Sequence, residues 1–330
     1  MIPNCPNPSC RIQAITQPNT PQGGREPSPK SSPKTSHVVR NGFFHRSSDS
    51  RSIQRFLCRS CGKNFSRATG HPCFSQKKRR INFLLGKLFC SGISQRRAAR
   101  ILRVNPKTIV RKFRFLARQS ELGHDAWLKK IPPQSIPLCQ FDDLETAEHT
   151  KCKPLSVALA VDPSNRKILG FRVSQMPAKG LLTKIAFKKY GPRKDRRPEG
   201  WDQILRDLRS VLAENVEITS DENPHYPKNI ERHFPKAKHV RVKGGRGSIS
   251  GQGELKKLRF DPIFALNHTC AMLRANLNRL FRRTWCISKT RQGLIDHLWI
   301  YVRYHNTVLT SGNASGTAPD GDRNAPLSAG

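Results

Sequence analysis

The stretch QFDDLETAEHTKCKPLSVALAVD, residues 140–162, contains the pattern from which we predict the fold of the C-terminal half of the chain. The apolar runs in 136–141 and 154–161 each predict a strand. The first of these strands runs into Asp142 and Asp143. Because successive strand residues point to opposite faces of a sheet, only one of these two carboxylates can face a given site.

Further elements follow in a regular order, after a third strand at 167–173 and a basic segment at 179–197. The pattern predicts a helix at 201–212, a strand at 216–219, a helix at 227–233, a strand at 239–242 and helices at 264–281 and 294–306. This succession of three strands, helix, strand, helix, strand, helix is that of an RNase H-like α/β fold. In that fold the first and fourth strands lie side by side, so Asp142 and Asp221 would be neighbours.

Two neighbouring carboxylates at strand ends predict a magnesium or manganese site. Carboxylate oxygens are hard ligands for Mg²⁺, and two ions would stabilise the attacking and leaving oxygens of an in-line displacement. Two alternatives stay open. The alternative for Asp221 is a capped turn in SDENPHYP. The alternative for the other acids nearby is a solvated acidic edge formed by Asp143, Glu145 and Glu148.

Four of the ten cysteines form two pairs, and the pairs are CPNPSC and CRSC, with Cys5, Cys10, Cys58 and Cys61. Four thiolates at tetrahedral distance bind zinc tightly, so the pairs predict a zinc ribbon over residues 1–72. The alternative is a set of buried or free thiols.

The long gap between the two pairs is explained by a flexible insert. Gln17–Ser36 is rich in Pro, Ser and Gly, and we extend the predicted insert to 17–50. His71 and Cys73 are spare candidate ligands. The other cysteines stand alone in apolar or strand contexts and are predicted core residues: Cys90, Cys139, Cys152, Cys270 and Cys286.

The stretch SGISQRRAARILRVNPKTIVRKFRFLA, residues 91–117, predicts a helix-turn-helix within 75–120. Ser94 can cap the first helix and Asn105 the second. Pro106 occupies the first position of the second helix, where the missing N–H costs nothing.

The two helices of this motif have distinct faces. The residues predicted to be buried are Ala98, Ile101 and Leu102 in the first helix and Ile109, Phe113 and Leu116 in the second. The residues predicted to face DNA are Lys107, Thr108, Arg111, Lys112 and Arg114. An ordinary helical hairpin with solvated charges is the alternative.

The chain of 330 residues has 60 Lys and Arg against 23 Asp and Glu, a formal charge of +37. The first 120 residues hold 25 of these basic residues and only 2 acids. Positive charge at this density favours contacts to nucleic-acid phosphates. The 36% hydrophobic content excludes a wholly disordered chain.

The remaining organisation follows from composition. Pro and Gly residues predict a linker at 121–135, between the helix-turn-helix and a core at 136–310, and the polar residues 311–330 predict a disordered tail. The N-terminus lacks a signal peptide and no run is long enough to span a membrane, so we expect a cytoplasmic protein.

Several stretches together resemble bacterial insertion-sequence transposases with a zinc ribbon, a helix-turn-helix and a DDE core. Besides residues 140–162 these stretches are TSDENPHYP (219–227), VKGGRG (242–247), GQGELKKLRFDP (251–262) and LNHTCAMLRANLNRLFRRTWCISK (266–289). The resemblance covers about residues 1–310. It implies that Asp142 is the first catalytic acid and Asp221 the second, 79 residues later.

The resemblance also implies a third acid, on the helix predicted at 264–281. The position of the family's Glu falls on Asn267, whose carbonyl can ligate Mg²⁺ without adding negative charge. Glu254 and Asp261 are the alternatives for this ligand, and a helix N-cap is the alternative for Asn267 itself.

The resemblance therefore implies a DNA transposase that cuts phosphodiester bonds with metal-activated water and then joins strands. Its partner would be double-stranded DNA, and it would act as a homo-oligomer. Lys243 and Arg246 would line the DNA channel, and a solvated face is the alternative for them. Because Asn267 stands where an acid is expected, a catalytically inactive DNA-binding descendant stays open. An RNA-binding zinc-ribbon protein is a third hypothesis.

Overall fold

The computed structural model describes residues 2–10, 37–47, 50–243, 261–281 and 284–310. The chain folds into two compact units, residues 1–79 and 80–330. Three predictions lie outside the described residues: the insert at 17–36, the segment with Arg246 and Glu254, and the tail at 311–330.

The first unit is built on a small antiparallel sheet. Its strands are β1 (Val38–Arg46), β2 (Arg51–Cys58) and β3 (Asn64–Phe65), in that order across the sheet. The predicted extension of the insert to residue 50 is therefore wrong, because 38–46 forms β1. The sequence signal is weak there because only Val38 of the nine β1 residues is buried, so the strand lacks the apolar alternation of a half-buried one.

The second unit begins with three helices, α1 (Ile81–Phe89), α2 (Gln95–Ile101) and α3 (Pro106–Leu128). The predicted caps are confirmed. The Ser94 side chain accepts a hydrogen bond from the Arg97 N–H at 3.3 Å, and the Asn105 side chain accepts one from the Lys107 N–H at 2.8 Å. These caps satisfy N–H groups that a helix start leaves free.

The predicted linker at 121–135 is wrong over its first half, because α3 continues without a break to Leu128. The buried His124 ring anchors this extension through a 3.0 Å hydrogen bond to the Leu169 carbonyl. The linker was predicted from Pro132 and Pro133, which lie just beyond the end of the helix. The tertiary contact that stabilises the last turns of α3 is not visible in the sequence. Helices α1, α2 and α3 therefore belong to the same unit as the residues after 136.

One predicted core position of these helices is also wrong. Ile101 is 55% exposed, and the neighbouring Ala99 is buried in its place. Ala98 is buried as predicted, and so are three residues of α3, namely Ile109, Phe113 and Leu116.

A five-stranded mixed sheet is the centre of the second unit. Its strands are β4 (Ile136–Glu148), β5 (Thr150–Val161), β6 (Ile168–Gln175), β7 (Leu212–Asp221) and β8 (Lys238–Val242). The order is β6-β5-β4-β7-β8, in which β4 is antiparallel to β5 and parallel to β7. The predicted adjacency of the first and fourth strands of this region is confirmed.

Helices cover both faces of the sheet. They are α4 (Leu182–Tyr190), α5 (Arg197–Leu208), α6 (Tyr226–His233), α7 (Phe264–Asn276) and α8 (Arg291–Tyr304). One core joins the sheet to α5 and α6, and the other joins it to α1, α2, α3, α7 and α8. The sequence analysis missed α4, which lies in the predicted basic segment. Among the described residues, no helix combines the length and apolarity needed to cross a membrane.

Candidate functional site

Asp142 and Asp221 lie on neighbouring parallel strands. Phe141 of β4 pairs with Ser220 of β7, so the two aspartates are the next residues along both strands. Phe141 belongs to the core beneath α5 and α6, and strand alternation points Asp142 and Asp221 to the opposite face. The sequence pattern predicts that these two carboxylates are neighbours, and the strand pairing brings their positions together.

Gln140, which the sequence analysis missed, attaches α7 to this face of the sheet. Its side chain donates to the Pro262 carbonyl at 2.9 Å and accepts from the Leu266 N–H at 2.9 Å. Gln140 is buried two residues before Asp142, so the two side chains share a face. A lone amide in an otherwise apolar strand, in phase with a candidate acid, is the signal that could have identified it.

The Asp142 carboxyl has few stabilising partners for a group so enclosed. Its Oδ1 accepts from the Asp143 N–H at 2.6 Å and from the Tyr226 hydroxyl at 3.4 Å. Burial raises the pKa of Asp142 to about 7, and the negative charges of Asp221 and Asp143 add to this shift. The site therefore holds more negative charge than it can stabilise, and a proton or a cation would relieve the repulsion.

Asp143 turns to the other face of the sheet, as alternation predicts. The indole N–H of Trp201 in α5 donates to its carboxylate at 2.9 Å. Burial raises the pKa of Asp143, although this hydrogen bond acts in the opposite direction. Asp143 is therefore not available to the face that Asp142 occupies.

The position predicted for a third acid is on α7. Asn267 is exposed, and its side-chain amide donates to Asp261 Oδ2 at 2.9 Å. The N-cap of α7 is Ile263, so the alternative of Asn267 as a helix N-cap is wrong. Asp261 Oδ1 accepts from the Ile263 N–H at 3.1 Å. Two of the three candidates for this ligand, Asn267 and Asp261, are therefore hydrogen-bonded to each other.

The four N-terminal cysteines converge in the first unit. Their sulfur atoms all lie within 4.8 Å of one another, and Cys5, Cys10, Cys58 and Cys61 are the one such group of metal-binding side chains among the described residues. The Sγ atoms of Cys5 and Cys61 are 3.5 Å apart, and those of Cys10 and Cys58 are 3.7 Å apart. Four sulfurs at ~2.3 Å from one zinc ion would be ~3.8 Å apart. The cluster can therefore hold a metal ion such as zinc.

A turn after β2 positions Cys58 and Cys61, the second pair of this cluster. After Cys58 ends β2, the Gly62 N–H donates to the Cys58 carbonyl at 2.8 Å, and Gly62 has a φ of +66°, which glycine adopts without strain. A hydrogen bond from Asn7 and one from the backbone at Lys63 lower the pKa of Cys61 to about 6, which favours the thiolate that metals bind. The spare candidates His71 and Cys73 do not belong to the cluster.

The basic residues predicted to face DNA divide into two groups. Lys107, Arg111, Arg114 and Lys243 are exposed, and Thr108 is half-buried. Lys112 is wrong as a DNA contact, because it is buried and its Nζ donates to Asn82 Oδ1 at 2.7 Å. The physical reason is helical spacing, since Lys112 lies three residues after the buried Ile109 and shares its face.

The sequence analysis missed a group of arginines in and next to α2. All of them are exposed, and they are Arg96, Arg97, Arg100 and Arg103. They extend the basic surface of α3, and the absence of acids between residues 50 and 120 was the signal that could have identified them.

Comparisons of this sequence with models of protein families and with curated proteins found no match.

Proposed function

We propose that this chain is a DNA transposase with an RNase H-like core in residues 80–330. The observation that supports it best is the placement of Asp142 and Asp221 on one face of two neighbouring parallel strands. The strand order β6-β5-β4-β7-β8, with the first strand of the core between the second and fourth, agrees with the fold expected from the sequence.

The donor set of this face fits a divalent metal ion. Asp142 and Asp221 offer carboxylate oxygens, and a bound cation would offset the burial and the neighbouring negative charges that raise the pKa of Asp142. Magnesium or manganese bound there would activate water and neutralise charge at phosphate. The Tyr226 hydroxyl orients the Asp142 carboxylate, and Gln140 holds α7 against the same face.

The third ligand in this proposal comes from the pair formed by Asn267 and Asp261. Gln140, two residues before Asp142 on β4, bonds the carbonyl of Pro262, which follows Asp261 in the chain. Asp261 would then supply the negative charge that Asn267 lacks. Glu254 lies outside the described residues and stays an alternative.

Duplex DNA is the proposed partner of the helical surface. The exposed basic residues of α2, α3 and the turn between them form one group: Arg96, Arg97, Arg100, Arg103, Lys107 and Arg111. Contacts from such residues to phosphates release counterions and provide affinity that falls as salt rises. Two sites acting on two DNA ends would require at least two copies of the chain.

A strand-transfer assay tests the proposal. The full chain would be mixed with the DNA that flanks its own gene and with Mg²⁺ or Mn²⁺, and joined 3′ ends would be scored. We expect joining by the wild type and none by Asp142→Asn or Asp221→Asn. Glu217→Gln is the matched control, because Glu217 lies on β7 and shares the face of Asp221. Joining by either aspartate variant would contradict the proposal.

A catalytically inactive DNA-binding protein is the second candidate, and one observation favours it. Among the described residues, Asp142 and Asp221 do not belong to any group of three convergent metal-binding side chains. Calorimetric titration of Mn²⁺ into the zinc-loaded chain distinguishes the two. Saturable binding that Asp142→Asn removes favours the transposase, whereas specific DNA binding without such Mn²⁺ binding favours the inactive descendant.

A further inference from the structure

The β1–β2 hairpin exposes two aromatic side chains that lie outside the buried cluster formed by the described residues of this unit. Phe43 is 63% exposed and Phe44 is 40% exposed. The buried cluster of this unit consists of other residues: Val38, Phe56, Phe65 and the metal-site cysteines. Neither ring belongs to this cluster, so both faces of the hairpin present an aromatic ring that a partner can reach.

A β-bulge fixes the direction of these rings. Asn41 and Gly42 lie opposite a single residue of β2, and the register then resumes with Phe43 opposite Gln54. The Gln54 side-chain amide donates to the Gly42 carbonyl at 2.8 Å, and the Gly42 φ of +61° suits a residue without Cβ. Phe43 and Phe44 are consecutive in the strand and therefore point to opposite faces of the hairpin.

The charge of the unit identifies its partner as nucleic acid. Residues 1–79 contain 14 Lys and Arg and only two acids, Glu26 and Asp49. Arg40 and Arg55 are exposed near the bulge. A second copy of this chain has the same strong positive charge and would be repelled, whereas a phosphate backbone would be attracted.

The aromatic rings favour unpaired over paired nucleotides. Base faces are accessible in a single strand, and exposed aromatic side chains bind them by stacking with little dependence on sequence. In a duplex the base faces are covered by their neighbours, so Phe43 and Phe44 would have no stacking partner. Arginines alone would suffice for a duplex backbone.

We propose that the β1–β2 hairpin binds single-stranded nucleic acid that passes around β1, the edge strand of the sheet, with one base stacked on Phe43, another on Phe44 and phosphates held by Arg40 and Arg55. The evidence for this binding site comes from the hairpin alone. The inference rests on the proposed function only for the source of the ligand, which would be the unpaired strand exposed where a DNA end is opened.

Fluorescence anisotropy with the full zinc-loaded chain tests this inference. The probes are labelled dT15, U15 and a 15-base-pair duplex, at equal salt. We expect the double variant F43A/F44A to bind dT15 about tenfold more weakly or worse, and to keep duplex affinity within about twofold. F43L/F44L should behave like the alanine variant, because leucine keeps apolar area but offers no aromatic face.

Phe74→Ala is the matched control, since Phe74 is an exposed aromatic residue of the same unit outside the hairpin. Zinc content confirms that each variant is folded. Tighter binding to U15 than to dT15, lost in F43A/F44A, supports the site and assigns it to RNA.

Three outcomes would overturn the inference: unchanged dT15 affinity in F43A/F44A, an equal loss for duplex and single strand, or self-association that these variants abolish. The dT15 affinity is measured without added Mg²⁺ or Mn²⁺ and without strand transfer, so failure of the transposase proposal would leave this result unaffected.

Discussion

At the scale of single residues, Asp142 combines a proposed metal-binding role with a cost in stability. Its pKa of about 7 lies above the ordinary 3.8, so between about pH 4 and pH 7 the folded chain binds more protons than the unfolded chain. Stability therefore falls as the pH rises through this window and stays lower above it. Asn cannot ionise and can still accept from the Asp143 N–H.

We predict that Asp142→Asn stabilises the second unit at pH 8 by on the order of 2 kcal/mol, and by less at pH 5. Urea unfolding followed by tryptophan fluorescence would measure it, because all four tryptophans lie in residues 80–330. The buffer would contain zinc but no other divalent cation. An equal difference at the two pH values would contradict the assigned cause.

Arg111 and Lys112 are adjacent residues with opposite expected roles. Lys112→Ala leaves the buried Asn82 side chain without a hydrogen-bond partner at Lys112, so we expect a loss of ~1–3 kcal/mol in the free energy of unfolding. Arg111→Ala removes an exposed charge, and we expect unchanged stability together with weaker duplex binding and a shallower salt dependence. Urea titrations and anisotropy over a salt series check both variants. Weaker DNA binding by a well-folded Lys112→Ala would show that Lys112 contacts DNA after all.

At the scale of elements, Gln140 connects β4 to the start of α7. Gln140→Leu keeps the side chain similar in size but makes it apolar, which leaves the Leu266 N–H and the Pro262 carbonyl without these hydrogen bonds. We predict faster amide exchange in the first turns of α7 and a stability loss of ~1–3 kcal/mol. Hydrogen-exchange mass spectrometry measures this element by element, with α6 as internal reference. Uniformly faster exchange in both helices would indicate a global effect instead.

The elements also show which parts of the fold the sequence could predict. Strands β4 and β5 were found because their buried residues alternate or run together, and α3 was found from Asn105 and Pro106. Strand β1 was missed because it buries only Val38. The last turns of α3 were taken for a linker because the contact between His124 and Leu169 joins residues 45 positions apart. The local sequence pattern predicts where a helix or strand occurs, whereas contacts between residues distant in sequence determine where that element ends.

The candidate site shows the same division. The neighbouring positions of Asp142 and Asp221 could be predicted, because each residue follows a predicted strand and the expected strand order puts these two strands side by side. The roles of Tyr226 and Trp201 could not be predicted, because each depends on which helix covers the carboxylates. Lys112 was assigned to the wrong face because charge alone gave no sign of the buried Asn82.

At the scale of the whole molecule, the two units are expected to depend differently on metal. The cluster of the first unit consists of four cysteines and few apolar residues, so bound metal would provide much of its folding free energy. We predict that a strong chelator unfolds residues 1–79 and leaves the tryptophan emission of 80–330 unchanged. Released zinc, measured with a colorimetric indicator, should fall in Cys58→Ser and stay normal in Cys90→Ser, whose cysteine lies in the second unit. Metal content that does not change in Cys58→Ser would contradict the site.

Helix α3 is a single element of 23 residues, about 34 Å long at 1.5 Å per residue. Its first turns belong to the basic surface, and its last turns are bonded to the sheet that holds Asp142. A continuous helix fixes both the distance and the rotation between its ends. If this chain cuts DNA, the scissile bond should lie a constant number of base pairs from the bound sequence. Inserting one residue in α3 would rotate one end against the other by about 100° and change that number.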